Sequence, residues 1–225
     1  MATDLKPTTP DKVFSVTKSL ANLLPVTGML ATLVDEFIPS EVNTRRDSLL
    51  LKLEKDFEEL PERVEEALKE PFFISIFMQA FRSSMATEKE EKVDVYRAII
   101  LNTLIEQTPD KDEVEIMLKT TDSLTPLHIK LIKLFENPPK YLEENLDAKE
   151  RFGNVSMGGI GHLIRACFPN YSQDLINVAL RDINNSGIGN GLDNAATMTE
   201  SGILACRITE FGKRYIKLIT LPQKS

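Results

Sequence analysis

The 225-residue chain contains two histidines and two cysteines. His128 and His162 lie in different segments, with no cysteine or carboxylate partner at metal-ligand spacing, so no zinc-type site is predicted. His128 is expected on a helix surface, and His162 half-buried with its hydrogen bonds satisfied. Cys167 and Cys206 form no CxxC pair. Each is flanked by apolar residues (Ala166 and Phe168; Leu204 and Ala205), which suits small buried hydrophobes in a reducing compartment. With Asp4 near the start and no compact apolar h-region behind it, no signal peptide is read, and a cytoplasmic location is expected.

Long apolar runs are also missing. Leu20 to Ile38 is the most hydrophobic stretch near the start, but Asn22, Pro25, Asp35 and Glu36 interrupt it. A spanning helix needs about 20 predominantly apolar residues, so integral membrane insertion is not expected. Nucleophile-elbow and phosphate-loop patterns are absent too. Gly158, Gly159 and Gly161 precede a helix without a leading strand or a following Lys-Ser/Thr. Gly187, Gly189 and Gly191 follow a helix, the wrong order for a phosphate cradle. Both sets read as turns, the second supplying positive-φ positions for a helix end and a hairpin. No cofactor is implied, and a non-enzymatic protein is expected.

What is present is helical periodicity. Val13, Val16, Leu20 and Leu23/Leu24, then Met29, Leu30, Leu33, Val34 and Phe37, predict a helical hairpin over 13–38, bent at Pro25 to Gly28. Leu49/Leu50, Leu53, Phe57, Leu60, Val64 and Leu68 predict a long amphipathic helix over 41–69, kinked or broken near Pro61. "PFFISIFMQAFRSSMA" (71–86) is apolar on nearly every side, the mark of a helix surrounded by others. Further helices follow at "EKEEKVDVYRAIILNTLIEQT", "DEVEIMLKTTDS" and "LTPLHIKLIKLFENPP", the last stopped by Pro138 and Pro139.

After a polar connector around Asp147 to Ser156 the texture changes. "MGGIGHLIRACF" predicts a helix ended by Pro169. "SQDLINVALRDINNSG" predicts a second, capped by Ser172, with Leu175, Ile176, Ala179, Leu180 and Ile183 buried. "GIGNGLDNAATMTES" reads as a turn-rich hairpin, "GILACRI" as a short strand, and "TEFGKRYIKLI" as a final helix capped by Thr209. That is the order of a winged helix.

The fold class is therefore mainly α, with a helical region over 1–148 (hairpin 13–38, amphipathic helix 41–69, core helices 71–137) and a winged-helix-like module with a short β-hairpin over 149–225. Charge is uneven between the parts. Residues 1–150 hold 19 Lys+Arg against 29 Asp+Glu, and residues 151–225 hold 8 against 5. Duplex DNA, as an alternative partner, would meet the tail. There Gln173, Asn177, Arg181 and Asn184 offer side chains for base edges, and Lys213, Arg214 and Lys217 for phosphates. Asp174 and Asp182 flank that face and oppose such contact.

"FISIFMQAFRSSMATEKEEK", "LTPLHIKLIKLFENP" and "RITEFGKRYIKLI", the last through Thr209, Phe211, Gly212, Lys213 and Tyr215, resemble in order and spacing the segments of bacterial abortive-infection alpha proteins and related helical families. The resemblance implies a role in defence against phage and carries no catalytic residues across. The hairpin over 13–38 falls outside it. Three functions are thus expected in order: a bacterial interaction protein working by association with a protein partner or itself, a DNA-binding regulator, and a membrane-perturbing effector using Val13 to Ile38. The hairpin is expected either to pack on Leu53, Phe57 and the core helix, or to leave Leu23, Val26, Leu30 and Phe37 exposed as the candidate interaction patch.

Overall fold

The computed structural model describes residues 43–105, 110–192 and 196–222, with side chains from Ser48. The hairpin expected over 13–38, and its patch of Leu23, Val26, Leu30 and Phe37, lie outside the described residues. The described chain is mainly helical with one two-stranded antiparallel sheet. It divides into two compact units: residues up to Asp122 together with the C-terminal segment from Leu218, and the continuous stretch Ser123–Lys217. The boundary lies upstream of the expected division near residue 148, because the helices that follow Ser123 pack among themselves and with those after residue 160.

In the first unit α1 (Asn43–Phe57), α2 (Pro61–Ala67), α3 (Pro71–Met85), α4 (Glu90–Ile105) and α5 (Lys111–Ser123) follow one another. The amphipathic stretch over 41–69 is broken at 58–60, where Pro61 has no N–H to continue a helix and starts the next one instead. Leu49, Leu53, Phe57, Val64 and Leu68 all point inward across that break. α3 buries Phe73, Ile74, Ile76, Phe77, Met78, Ala80 and Phe81, each large side chain contributing roughly 1.5–3 kcal/mol by leaving water. Phe73, Phe77 and Phe81 form a ladder with centroids 6.4 and 5.7 Å apart. α4 packs along α3 and is fixed to α1 by a two-pronged pair, Arg97 Nε and Nη2 donating to Asp56 Oδ2 and Oδ1 at 2.7 Å each.

The second unit contains α6 (Pro126–Glu136), α7 (Pro138–Glu144), α8 (Leu146–Phe152), β1 (Met157–Gly158), α9 (Ile160–Cys167), α10 (Gln173–Asn185), β2 (Met198–Thr199), α11 (Glu200–Ile203) and most of α12 (Glu210–Ile219). Pro138 and Pro139 end α6 as expected but also open α7, whose first turn is capped by Asn137 Oδ1 accepting from the Lys140 N–H at 3.1 Å. The connector expected from Asp147 is helical as far as Phe152. Gly153, at φ 60°, stops it.

The expected winged hairpin is not what forms among the described residues. β1 pairs with β2, Met157 opposite Thr199 and Gly158 opposite Met198. "GILACRI" is not a strand: Gly202 and Ile203 close α11, and only Ile208 makes a bridge, to Gly189. The excursion from Gly189 to Ile208 is held by Arg207, not by a ladder. Its Nη2 donates to Gly202 O at 2.8 Å, its main-chain N–H to Phe135 O at 3.0 Å, and its carbonyl accepts from Asn190 N–H at 2.9 Å. Gly187 and Gly191, at φ 76° and 67°, supply the positive-φ turns expected of them. Gly158 lies in β1, Gly159 precedes α9 and Gly161 lies inside it, so the first glycine set is not a turn.

α12 starts as expected at Thr209, whose hydroxyl donates to Gly187 O at 2.6 Å and accepts from the Gly212 N–H at 2.9 Å. Tyr215 is fully buried one turn on.

Candidate functional site

α10 is a two-faced helix. Ser172 Oγ caps it by accepting from the Leu175 N–H at 3.4 Å. Ile176, Ala179, Leu180 and Ile183 are buried, on the side that packs against α6. At about 3.6 residues per turn the opposite side is centred on Asp174, Val178 and Arg181, with Gln173, Asn177 and Asn184 along one edge and Leu175 and Asp182 along the other. Leu175, expected in the core, is 49% exposed, and Val178 is 41% exposed. The apolar spacing of Ile176, Ala179, Leu180 and Ile183 already fills the inward stripe, and Leu175 falls outside it.

An aromatic row leads up to this face. Tyr141, Phe168 and Tyr171 stand with successive ring centroids 6.1 and 6.3 Å apart. Phe168 is buried, whereas Tyr171, just ahead of α10, is exposed. Within α10, Leu175 and Val178 are three residues apart, the spacing by which a helix presents neighbouring side chains on one side, and Tyr171 stands just ahead of the N-cap. That spacing was visible in the sequence, but masked by the reading of Leu175 as core.

The residues expected to read nucleic acid separate into two groups. Asn184 is occupied: its Nδ2 donates to Leu192 O and its Oδ1 accepts from the Leu192 N–H, both at 3.3 Å, so it clasps the excursion and does not offer its amide. Lys213 Nζ lies 2.7 Å from Glu210 Oε1, a hydrogen bond that raises the lysine pKa and lowers that of the carboxyl. Gln173 Nε2 donates to Asn177 Oδ1 at 2.9 Å, and both are exposed. Arg181 is exposed and makes no hydrogen bond or ion pair among the described residues. Arg214 and Lys217 are exposed on α12, with Arg214 Nη1 reaching Glu210 O at 3.4 Å.

His128 is buried, not on a helix surface. It is the third residue of α6, where its Nδ1 accepts from the Thr125 N–H at 3.1 Å and lies 2.8 Å from Thr125 Oγ1, completing a capping box. An accepting Nδ1 leaves the ring proton on Nε2, which faces Asp182 Oδ2 of α10 at 3.4 Å. The available signal was Thr125-Pro126 followed by His128 at the capping-box position. His162 is half-buried as expected, its Nε2 3.0 Å from Phe152 O.

The folded unit Ser123–Lys217 carries 11 Lys+Arg against 10 Asp+Glu, so the positive excess of the tail does not belong to the unit that presents α10. Among the described residues no group of three or more His, Cys, Asp or Glu is placed to hold a metal, and no helix is long and apolar enough to cross a membrane. Comparison with protein-family profiles, curated proteins and solved structures found no match to this chain.

Proposed function

We propose that the chain is a non-enzymatic, cytoplasmic interaction protein that binds a protein partner through the outer face of α10. The observation that carries this reading is the exposure of Leu175 and Val178 on the outer side of a well-anchored helix, with Tyr171 exposed just ahead of its N-cap. Aromatic and aliphatic side chains on a rigid support are what interface centres use, and the near-balanced charge of the unit suits a protein surface better than a phosphate backbone. The resemblance of the α3, α6 and α12 sequences to abortive-infection alpha proteins directs the role to bacterial phage defence.

The test pairs the wild-type chain with a Leu175→Asp/Val178→Asp variant. Both are used as bait in host lysates before and after phage infection, and both are weighed by sedimentation equilibrium. A partner, or a second copy, held by the wild type and lost by the variant supports the reading. Identical capture and identical mass overturn it.

A second reading, contact with duplex DNA, is favoured by the exposure of Arg181, which has no partner among the described residues. It requires affinity for duplex that falls steeply with salt and drops on Arg181→Ala. No binding at low salt by the full chain removes it.

A further inference from the structure

A cleft of about 500 Å³ opens between α7, α8 and α11, on other elements than the α10 face. Its floor is apolar: Leu142 and Phe152 are buried beneath it, and Leu204 is half-buried at its side. At its mouth Leu146, the first residue of α8, is 71% exposed, the most exposed large apolar side chain described. A leucine left in water beside an apolar hollow loses the burial free energy that a neighbour could supply.

Around this floor stand Glu143, Glu150 and Glu200, against one cation, Lys149. None of these three carboxylates is in an ion pair among the described residues. Nearby Glu144, outside the cleft, is paired with Lys140 at 3.8 Å. An apolar hollow with unneutralised acids on its rim is complementary to one kind of occupant, a bulky aliphatic or aromatic side chain carried between basic residues.

We propose that this cleft docks a short basic peptide segment of a partner protein, its apolar anchor seated over Leu142, Leu146, Phe152 and Leu204 and its Lys or Arg side chains paired with Glu143, Glu150 and Glu200. The site is independent of the α10 face and does not rest on the function assigned to it.

The probe is a short fluorescein-labelled peptide in which leucine and phenylalanine are flanked by lysine and arginine, titrated onto the full chain by anisotropy. Two further peptides serve as controls, one with the basic residues replaced by glutamate and one with the apolar residues replaced by serine. The decisive variant is Leu146→Asp. The chain is already acidic, at formal net charge −7, so unspecific attraction of a basic peptide is strengthened by one more carboxylate, whereas a seated anchor is lost. Expected is binding of the first peptide only, weakened about tenfold or more by Leu146→Asp, and flattened in its salt dependence by Glu143→Gln/Glu150→Gln/Glu200→Gln. Leu175→Asp/Val178→Asp leaves it unchanged. Because Leu146 is solvent-exposed, an unaltered thermal melt for its variant confirms that the fold is not at issue; if the melt shifts, Leu146→Ser replaces it and must weaken binding likewise. The proposal is overturned if the basic peptide does not bind at low salt, binds the Leu146 variant as tightly or more tightly, or binds no better than its serine counterpart.

Discussion

The Cα of Gly212 faces the carbonyl of Ile188 so closely that a Cβ would collide with that oxygen and press on Ile208 Cγ2 as well. The obstacle is backbone, which cannot swing aside. Thr209 uses the same carbonyl, its N–H donating to Ile188 O at 3.0 Å, so the first turn of α12 is bolted to the turn that follows α10. Gly212→Ala is expected to lower stability by about 3 kcal/mol or more, and Thr209→Ala by about 1–2 kcal/mol through loss of the cap. Urea unfolding measures both. An unchanged Gly212→Ala midpoint contradicts the packing described.

The Asp56–Arg97 pair is largely removed from water, the side chains keeping 8% and 18% exposure. Hydrogen bonding to Asp56 raises the Arg97 pKa further above its ordinary value. Removing one partner strands the other, so Asp56→Ala is expected to cost about 3–5 kcal/mol, while Asp56→Leu/Arg97→Met costs much less. A double-mutant cycle on chemical denaturation separates the two outcomes.

Burial pushes the Cys167 thiol up to about 12, and Cys206 is exposed. Only the thiolate reacts with alkylating reagents, so at neutral pH Cys206 is expected to be modified first and Cys167 only on unfolding. The same shift has a stability consequence. The unfolded chain releases this proton near 9 and the folded chain holds it to about 12, so stability is intact below pH 9 and falls as pH rises between those values. Mass spectrometry after brief alkylation and alkaline melts of Cys167→Ala check the two statements. Equal labelling of both cysteines in the folded chain contradicts the first.

Asn102 Nδ2 donates to Leu218 O and to Thr220 O, at 2.8 Å each. Asn102→Ala should therefore release the end of α12, with a loss of about 1–2 kcal/mol. Amide exchange in residues 216–221 reports it, accelerating more than exchange in α3. Uniform acceleration in both would mean that the contact is not local.

Helix after helix was legible because each apolar stripe has its own period. α3 and α6 could be placed from composition alone. The segment 202–208 was not, since Gly-Ile-Leu-Ala-Cys is a short apolar run whose period fits helix and strand alike. What decides it includes a remote partner: the Arg207 N–H meets the carbonyl of Phe135, far away in sequence, while its side chain turns back onto the nearby Gly202 carbonyl. The two-residue pairing of Met157–Gly158 with Met198–Thr199 is equally invisible locally. Among the candidate site residues, Arg181 and the Gln173–Asn177 pair are surface groups as read, while Asn184 was misjudged because an exposed-looking amide gives no hint of the loop that claims it. The resemblance residues Thr209, Gly212 and Tyr215 turn out to be a seating device for α12: cap, close approach and buried ring.

α12 belongs to both units, Tyr215 and Ile216 serving the second and Leu218 the first. Neither unit is complete without this helix. A chain cut short upstream of Glu210 by a nonsense codon or a protease lacks the closing piece of two cores at once. Such a product exposes apolar surface in both halves, which is the feature that chaperones and degradative proteases recognise.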